Sequence, residues 1–178
     1  MNVITKGVIK MKLSVRPAKL SDLWDIMEII DYAKALQQEQ GNLNQWGENY
    51  PLKHHIESDI EQGESYVVVS TDQDGEAYLV GTFCLMKKPE QSYTTIEGSW
   101  LNDAPYVTVH RMASRQRGTG RFIIESLKRN FLNIRIDTHR DNAAMLHLLS
   151  SSGFEYCGKI QLINGGGERL AFHYVRED

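Results

Sequence analysis

The apolar residues of this chain change period several times, and each change restricts which element can form next. Residues 13–16 alternate and predict a first strand. Ser21 offers an N-cap oxygen to a helix carrying Leu23, Ile26, Met27, Ile30 and Ala33 at helical spacing. Residues 37–50 are polar, contain Gly41 and Gly47, and predict a loop or a broken helix. Pro51 opens a second helix, with Leu52, Ile56 and Ile60 four apart and Gly63 placed to end it. The period then becomes that of a strand. Residues 66–70 and 78–87 are β-rich and joined through an Asp-Gly turn at 74–75, and residues 106–113 form another strand. Residues 120–131 return to helix, with Ile123, Ile124, Leu127 and Phe131 on one face. A short strand at 134–138 precedes a helix capped by Asn142, carrying Met145, Leu148 and Leu149 and closed by Gly153. Strands at 154–162 and 169–175 flank a glycine turn at 165–167. The order βααβββαβαββ describes one mixed α+β sheet without repeat or linker.

A chain of 178 residues fits a single domain, read here as 11–178. The stretch 1–10 is an extension that precedes the ordered pattern at Met11 and is expected to be dispensable. It lacks the apolar core of a signal peptide, and the longest apolar runs are too short to span a bilayer, so a cytoplasmic protein without membrane contact is expected. Cys84 and Cys157 form no CxxC pair and read as buried thiols. A formal net charge of −3 argues against general nucleic-acid binding, so an anionic ligand must be met by a local basic cluster.

That cluster is Met112-Ala113-Ser114-Arg115-Gln116-Arg117-Gly118-Thr119-Gly120-Arg121, running from a strand end through a glycine turn into a helix. A helix start leaves backbone N–H groups unpaired and adds partial positive charge. Gly118 and Gly120 let a phosphate approach the backbone, and Arg115, Arg117 and Arg121 add three cations with no acid before Glu125. Hydrogen bonds to charged groups contribute roughly 1.5–3 kcal/mol each, so several would hold a diphosphate. Other phosphate loops fit badly. Arg121-Phe122 follows Gly120 where a P-loop needs Lys-Ser/Thr, and Ile123 stands where a dinucleotide loop needs its third glycine.

Arg115-x-x-Gly118-x-Gly120 resembles the R/Q-x-x-G-x-G/A signature of the GNAT N-acetyltransferases, and the order of elements is similar over about 13–175. Asn142, eleven residues before Gly153-Phe154, resembles that family's second motif. The resemblance implies a central, mostly antiparallel sheet flanked by about four helices and acetyl-CoA as co-substrate. It implies that the coenzyme's pyrophosphate meets the amides of Gln116, Arg117, Gly118, Thr119 and Gly120, with the arginines nearby. Met112, Ala113 and Ser114 would pair with the pantetheine arm, in a gap between the strands at 106–113 and 134–138. Asn142 would hydrogen-bond the arm from the other side. Two departures stand out: Gln116 replaces a common glycine, and Leu149 stands where many members carry a tyrosine that protonates the departing thiolate.

Acyl transfer to an amine needs a base and donors for the developing oxyanion. His110 is singled out because its strand leads to Met112, two residues on and on the same face by alternation, and because Thr108 stands where some members carry a catalytic glutamate. It is either the base or a hydrogen-bonded structural histidine. His139 is the next candidate, or else a loop residue supporting Asn142. His54 and His55 are expected on an exposed helix face, His147 at the surface, and His173 is remote from both motifs. No histidine pair has metal-ligand spacing, so no metal is expected. The acceptor, a small-molecule or peptide amine, would be met by residues 45–50 and by a second loop carrying Glu97 and Trp100, with packing the alternative role for each aromatic. The resulting expectation is acetyl-CoA-dependent N-acetylation of a primary amine in a ternary complex. The alternatives are a non-catalytic acyl-CoA-binding module, or an acyltransferase that acts on a protein N-terminus or uses another acyl chain.

Overall fold

The structure, a computed structural model, describes residues 11–177; the extension at 1–10 lies outside the described residues. Strand β1 (Lys12–Pro17) leads into helices α1 (Leu23–Glu39) and α2 (Lys53–Glu61). Strands β2 (Ser65–Thr71), β3 (Ala77–Met86), the two-residue β4 (Glu97–Gly98) and β5 (Val107–Ser114) follow. Helix α3 (Thr119–Asn130), strand β6 (Asn133–Thr138), helix α4 (Ala143–Ser151), and strands β7 (Glu155–Leu162) and β8 (Gly167–Val175) complete the order. The expected series is thus present, with β4 added. That strand is too short to show a period.

The strands form one eight-stranded sheet in the order β1-β2-β3-β5-β6-β8-β7-β4. Among the described residues β5 and β6 are parallel, and the other neighbouring pairs are antiparallel. One face carries α3 and α4, whose Ile123, Ile124, Leu127 and Leu149 pack on Val107, Val109, Ile134 and Ile136. The other face carries α1 and α2, with Ile26, Ile29, Ile30, Ala33 and Ile56 packed on Val67, Leu79 and Ala113. The i, i+3, i+4, i+7 spacing in α1 turns four side chains onto the sheet, and burying each large one contributes about 1.5–3 kcal/mol.

Two expected helix starts move. Asp22, not Ser21, ends the turn before α1, accepting the Lys19 N–H at 2.8 Å and a two-pronged contact from Arg16. A carboxylate with a guanidinium beside it holds that corner better than a hydroxyl. Pro51 lies two residues ahead of α2, whose first turn is closed instead by His55 Nδ1 accepting the Leu52 N–H at 2.9 Å.

Candidate active site

Strands β5 and β6 pair only at Val107–Ile134 and Thr108–Arg135, and then part. Beyond that point β5 remains paired to β3 as far as Ser114, and β6 to β8 as far as Thr138. The facing edges are left without a strand partner, in the gap expected between these strands. A cavity of about 840 Å³ opens there, walled by the α1–α2 loop (Gln45, Trp46, Tyr50), by β5 and β6, and by the β7–β8 turn. That volume lies within the usual range for small-molecule sites.

The register between β3 and β5 shifts where Thr82 faces Ala113 and Cys84 faces His110, so β5 holds one extra residue. The bulge sits at Arg111, whose φ is +50°, a left-handed conformation that costs a non-glycine residue about 1–2 kcal/mol. Its guanidinium is held by Asp59, at 2.7 Å (Nε) and 2.6 Å (Nη2), and donates to the Tyr50 hydroxyl at 2.8 Å. Burial opposes this charge, but Tyr50, Cys84 and Asp59 outweigh it and raise the guanidinium's pKa. The bulge also separates His110 from Met112, which alternation places on one face. Met112 packs with Val107 and Val109 on the α3 side, whereas His110 turns to Glu90, Tyr93 and Asp137 on the other.

His110 Nε2 lies 3.0 Å from Glu90 Oε2, and Nδ1 lies 3.8 Å from Asp137 Oδ1. The hydrogen bond from His110 holds Glu90 down at about 2, so Glu90 is a carboxylate and accepts. Nε2 therefore carries the proton in the neutral ring, and Nδ1 presents a lone pair. Asp137 Oδ1 also accepts from Tyr93 Oη at 2.6 Å. Glu90, His110 and Asp137 all line the cavity. Sequence reading missed both acids. Glu90 caps a short 3-10 turn by accepting the Ser92 N–H, and Asp137 continues the polar/apolar alternation of Asn133-Ile134-Arg135-Ile136, so neither stands out in the sequence.

At the other candidate site, Gly118 takes φ +86° as the residue before α3, where glycine is the residue at ease. Among the described residues the N–H groups of Gln116, Arg117, Gly118, Gly120 and Arg121 have no backbone acceptor. Thr119 differs, donating to the Gln116 carbonyl at 3.3 Å with its side chain buried. The three arginines also differ. Arg115 donates to the Leu79 carbonyl and faces Glu28, Arg121 donates to Ser151, and Arg117 is exposed. Asn142 lines the cavity, but its amide is engaged: Oδ1 accepts the Met145 N–H at 3.1 Å and Nδ2 donates to Gln45 Oε1 at 2.8 Å. Gln45 also accepts from Thr138 Oγ1, tying the α1–α2 loop to the end of β6.

The remaining expected residues divide. His54 and His147 are exposed, but His55 lines the cavity with its ring edge against Tyr50, and burial lowers its pKa. His139 Nδ1 accepts the Asp141 N–H and supports the turn into α4. His173 is fully buried, which pushes its pKa to about 4. Glu97 and Trp100 do not line the cavity: Glu97 sits on the edge strand β4, and the Trp100 ring packs under the Arg135 guanidinium. Leu149 is fully buried in the core. Both cysteines are free and buried. Potential ligand atoms of Asp59, Glu64 and Cys84 lie within 4.8 Å of one another. Both Asp59 oxygens already accept from Arg111, and burial pushes the Cys84 thiol to about 12, so the trio belongs to the ion pair. No helix among the described residues is long and apolar enough to cross a membrane.

No family model matches the sequence, and no curated protein matches it either. Solved structures do. A Listeria monocytogenes acetyltransferase of the GNAT family is 21% identical over 92% of this chain and 95% of its own, with a TM-score of 0.63. The NatC complex bound to Gag peptide and CoA gives 15% identity, 93% and 99% coverage and a TM-score of 0.52. These two share the fold. A GNAT-family acetyltransferase from Streptococcus agalactiae goes further, with 31% identity over 96% of this chain and 100% of its own and a TM-score of 0.82. With likeness at that level along the whole of the relative, this chain belongs to the GNAT family of acetyltransferases.

Proposed function

We propose that this protein is an acetyl-CoA-dependent N-acetyltransferase acting on a primary amine within a ternary complex. The observation that carries the reading is the parting of β5 and β6, with unpaired amides beyond the end of β5 and the Glu90–His110–Asp137 group in the adjoining cavity. The residues fit the coenzyme. The N–H groups of Gln116, Arg117, Gly118, Gly120 and Arg121 would hold its pyrophosphate, with Arg117 free to swing onto it and Arg115 and Arg121 close by. The unpartnered edge of β5 at Met112, Ala113 and Ser114 would hydrogen-bond the pantetheine arm as an added strand does. Asn142, spent on Met145 and Gln45, would shape the far wall by fixing the start of α4.

Bound acetyl-CoA supplies the thioester, whose carbonyl carbon takes the amine nitrogen as its C–S bond breaks. In this chain His110 Nδ1 accepts the proton that the amine gives up, while Glu90 fixes the ring through Nε2 and Asp137 stabilises the imidazolium. The same two carboxylates attract a cationic amine into the cavity. A second reading, an acyl-CoA-binding module without catalysis, is favoured by Leu149, which places no hydroxyl on α4 at the family's tyrosine position.

The test is His110→Gln, which keeps a hydrogen-bonding side chain but removes the base. Turnover should fall about 10²–10⁴-fold with coenzyme A affinity unchanged, and the loss of rate on acidification should disappear. Near-normal turnover with an unchanged pH profile would remove His110 from the mechanism. Absence of thiol release from the wild type with a broad amine panel would favour the binding module.

A further inference from the structure

The cavity contains two arginines in opposite circumstances. Arg111 is neutralised by Asp59. Arg169, at the start of β8, is 5% exposed and lines the same cavity, yet it forms no ion pair with any carboxylate among the described residues. Its neighbour Glu168 pairs with Arg140 and Lys159 instead. Arg169 donates from Nη1 to the Glu168 carbonyl at 3.0 Å and from Nη2 to the Gln45 carbonyl at 3.5 Å. These two contacts leave most of its five N–H donors without a protein acceptor.

Burying a guanidinium that no carboxylate contacts is costly, and burial lowers its pKa although the nearby Asp137 carboxylate acts in the opposite direction. A planar fork of donors is suited to a carboxylate, which it binds two-pronged. The coenzyme's phosphates are not the natural partner, because none of residues 113–121 lines this cavity. The cavity therefore holds Glu90 and Asp137 beside His110 and, on the strand next to Asp137, Arg169, which the Asp137 carboxylate attracts without closing to an ion pair.

We infer that the acceptor is a small amine that also carries a carboxylate, an amino acid or a close analogue, with its carboxylate on Arg169 and its amine toward His110. This rests on the cavity being the acceptor site of an acetyltransferase, and it selects against peptide amines, whose α-carboxylate is consumed in the next peptide bond.

The test uses the purified full chain, acetyl-CoA and thiol release. The amine panel contains free L-amino acids, their carboxamides, the corresponding decarboxylated amines and short peptides. Free acids should exceed their amides in kcat/KM by about 100-fold, as two charge-assisted hydrogen bonds allow. Arg169→Gln should abolish that preference, and Arg169→Lys should raise KM for the acids about tenfold, both with the acetyl-CoA Kd and Tm near wild type. Should the buried substitutions unfold the chain, the wild-type panel decides alone. Amides, decarboxylated amines or peptides that match or surpass the free acids would overturn the carboxylate inference while leaving the acetyltransferase intact. Thiol release with no amine, despite acetyl-CoA binding, would overturn the enzymatic reading and this inference with it.

Discussion

Neutralising Asp59 should destabilise this protein more than most single substitutions. Its side chain is 9% exposed and that of Arg111 15%, so the pair is largely removed from solvent. Asp59→Asn keeps the shape but leaves a buried guanidinium uncompensated, a change that costs about 3–5 kcal/mol. The backbone adds to this, because Arg111 sits at φ +50° and the ion pair offsets the strain of that conformation. For a chain of this length each kcal/mol moves Tm by about 2–4 °C, so a fall of about 10–15 °C is expected by circular dichroism. Arg111→Met should cost a similar amount, since it leaves Asp59 buried near Glu64 and Cys84. The combined Asp59→Leu and Arg111→Met variant should recover part of the loss, because no charge is then stranded. An Asp59→Asn protein melting within about 3 °C of wild type would show that water reaches the pair and that it does not hold the bulge.

Gly120→Glu should weaken coenzyme A binding strongly in a folded protein, by adding bulk and negative charge at the helix start. Gly120→Ala should be mild, since its Cβ would meet only the flexible end of Leu148 at 3.2 Å; equal coenzyme A affinity for Gly120→Glu and wild type in calorimetry would refute the pyrophosphate site. A chain beginning at Met11 should keep its Tm and coenzyme A affinity, and a substantial loss of either would show that residues 1–10 contribute to the fold.

The parts of this fold that were legible in the sequence are those governed by local rules. Gly118 announces its turn because a left-handed residue before a helix favours glycine, and Asn142 announces α4 because its side chain accepts an N–H three residues on. The order of the longer elements followed from period together with such turn and cap residues. Strand β4 was hidden because two residues show no period and its pairing depends on the close approach of Gly98 and Gly158. The acids of the site were hidden for a different reason. Glu90 meets His110 across 20 residues and Tyr93 meets Asp137 across 44, and local spacing does not encode which side chains a sheet brings together at such separations. Trp100 could be read either as packing or as an acceptor contact, because an aromatic side chain reads the same in a loop whether it faces a ligand or lies under an arginine, and the structure gives the packing role.

The bulge is the feature that reconciles this sequence with its sheet. In a strand of strict alternation, Val107, Val109 and Arg111 would share the face covered by α3, and His110 and Met112 would share the other. Arg111 would then lie among Ile123, Ile124 and Leu127, where no carboxylate waits for it, and Met112 would project into the polar side of the opening. One extra residue at Arg111 reverses both assignments. Arg111 reaches Asp59, Met112 joins the apolar cluster, and His110 keeps its place beside Glu90 and Asp137. The cost is one residue in a left-handed conformation, about 1–2 kcal/mol, against several kcal/mol for an unpaired guanidinium in an apolar core. The polarity of three consecutive residues, His110-Arg111-Met112, therefore selects a bulge where alternation alone would have selected a regular strand, and the same bulge leaves His110 facing the cavity while it moves Arg111 and Met112 to the sides that suit them.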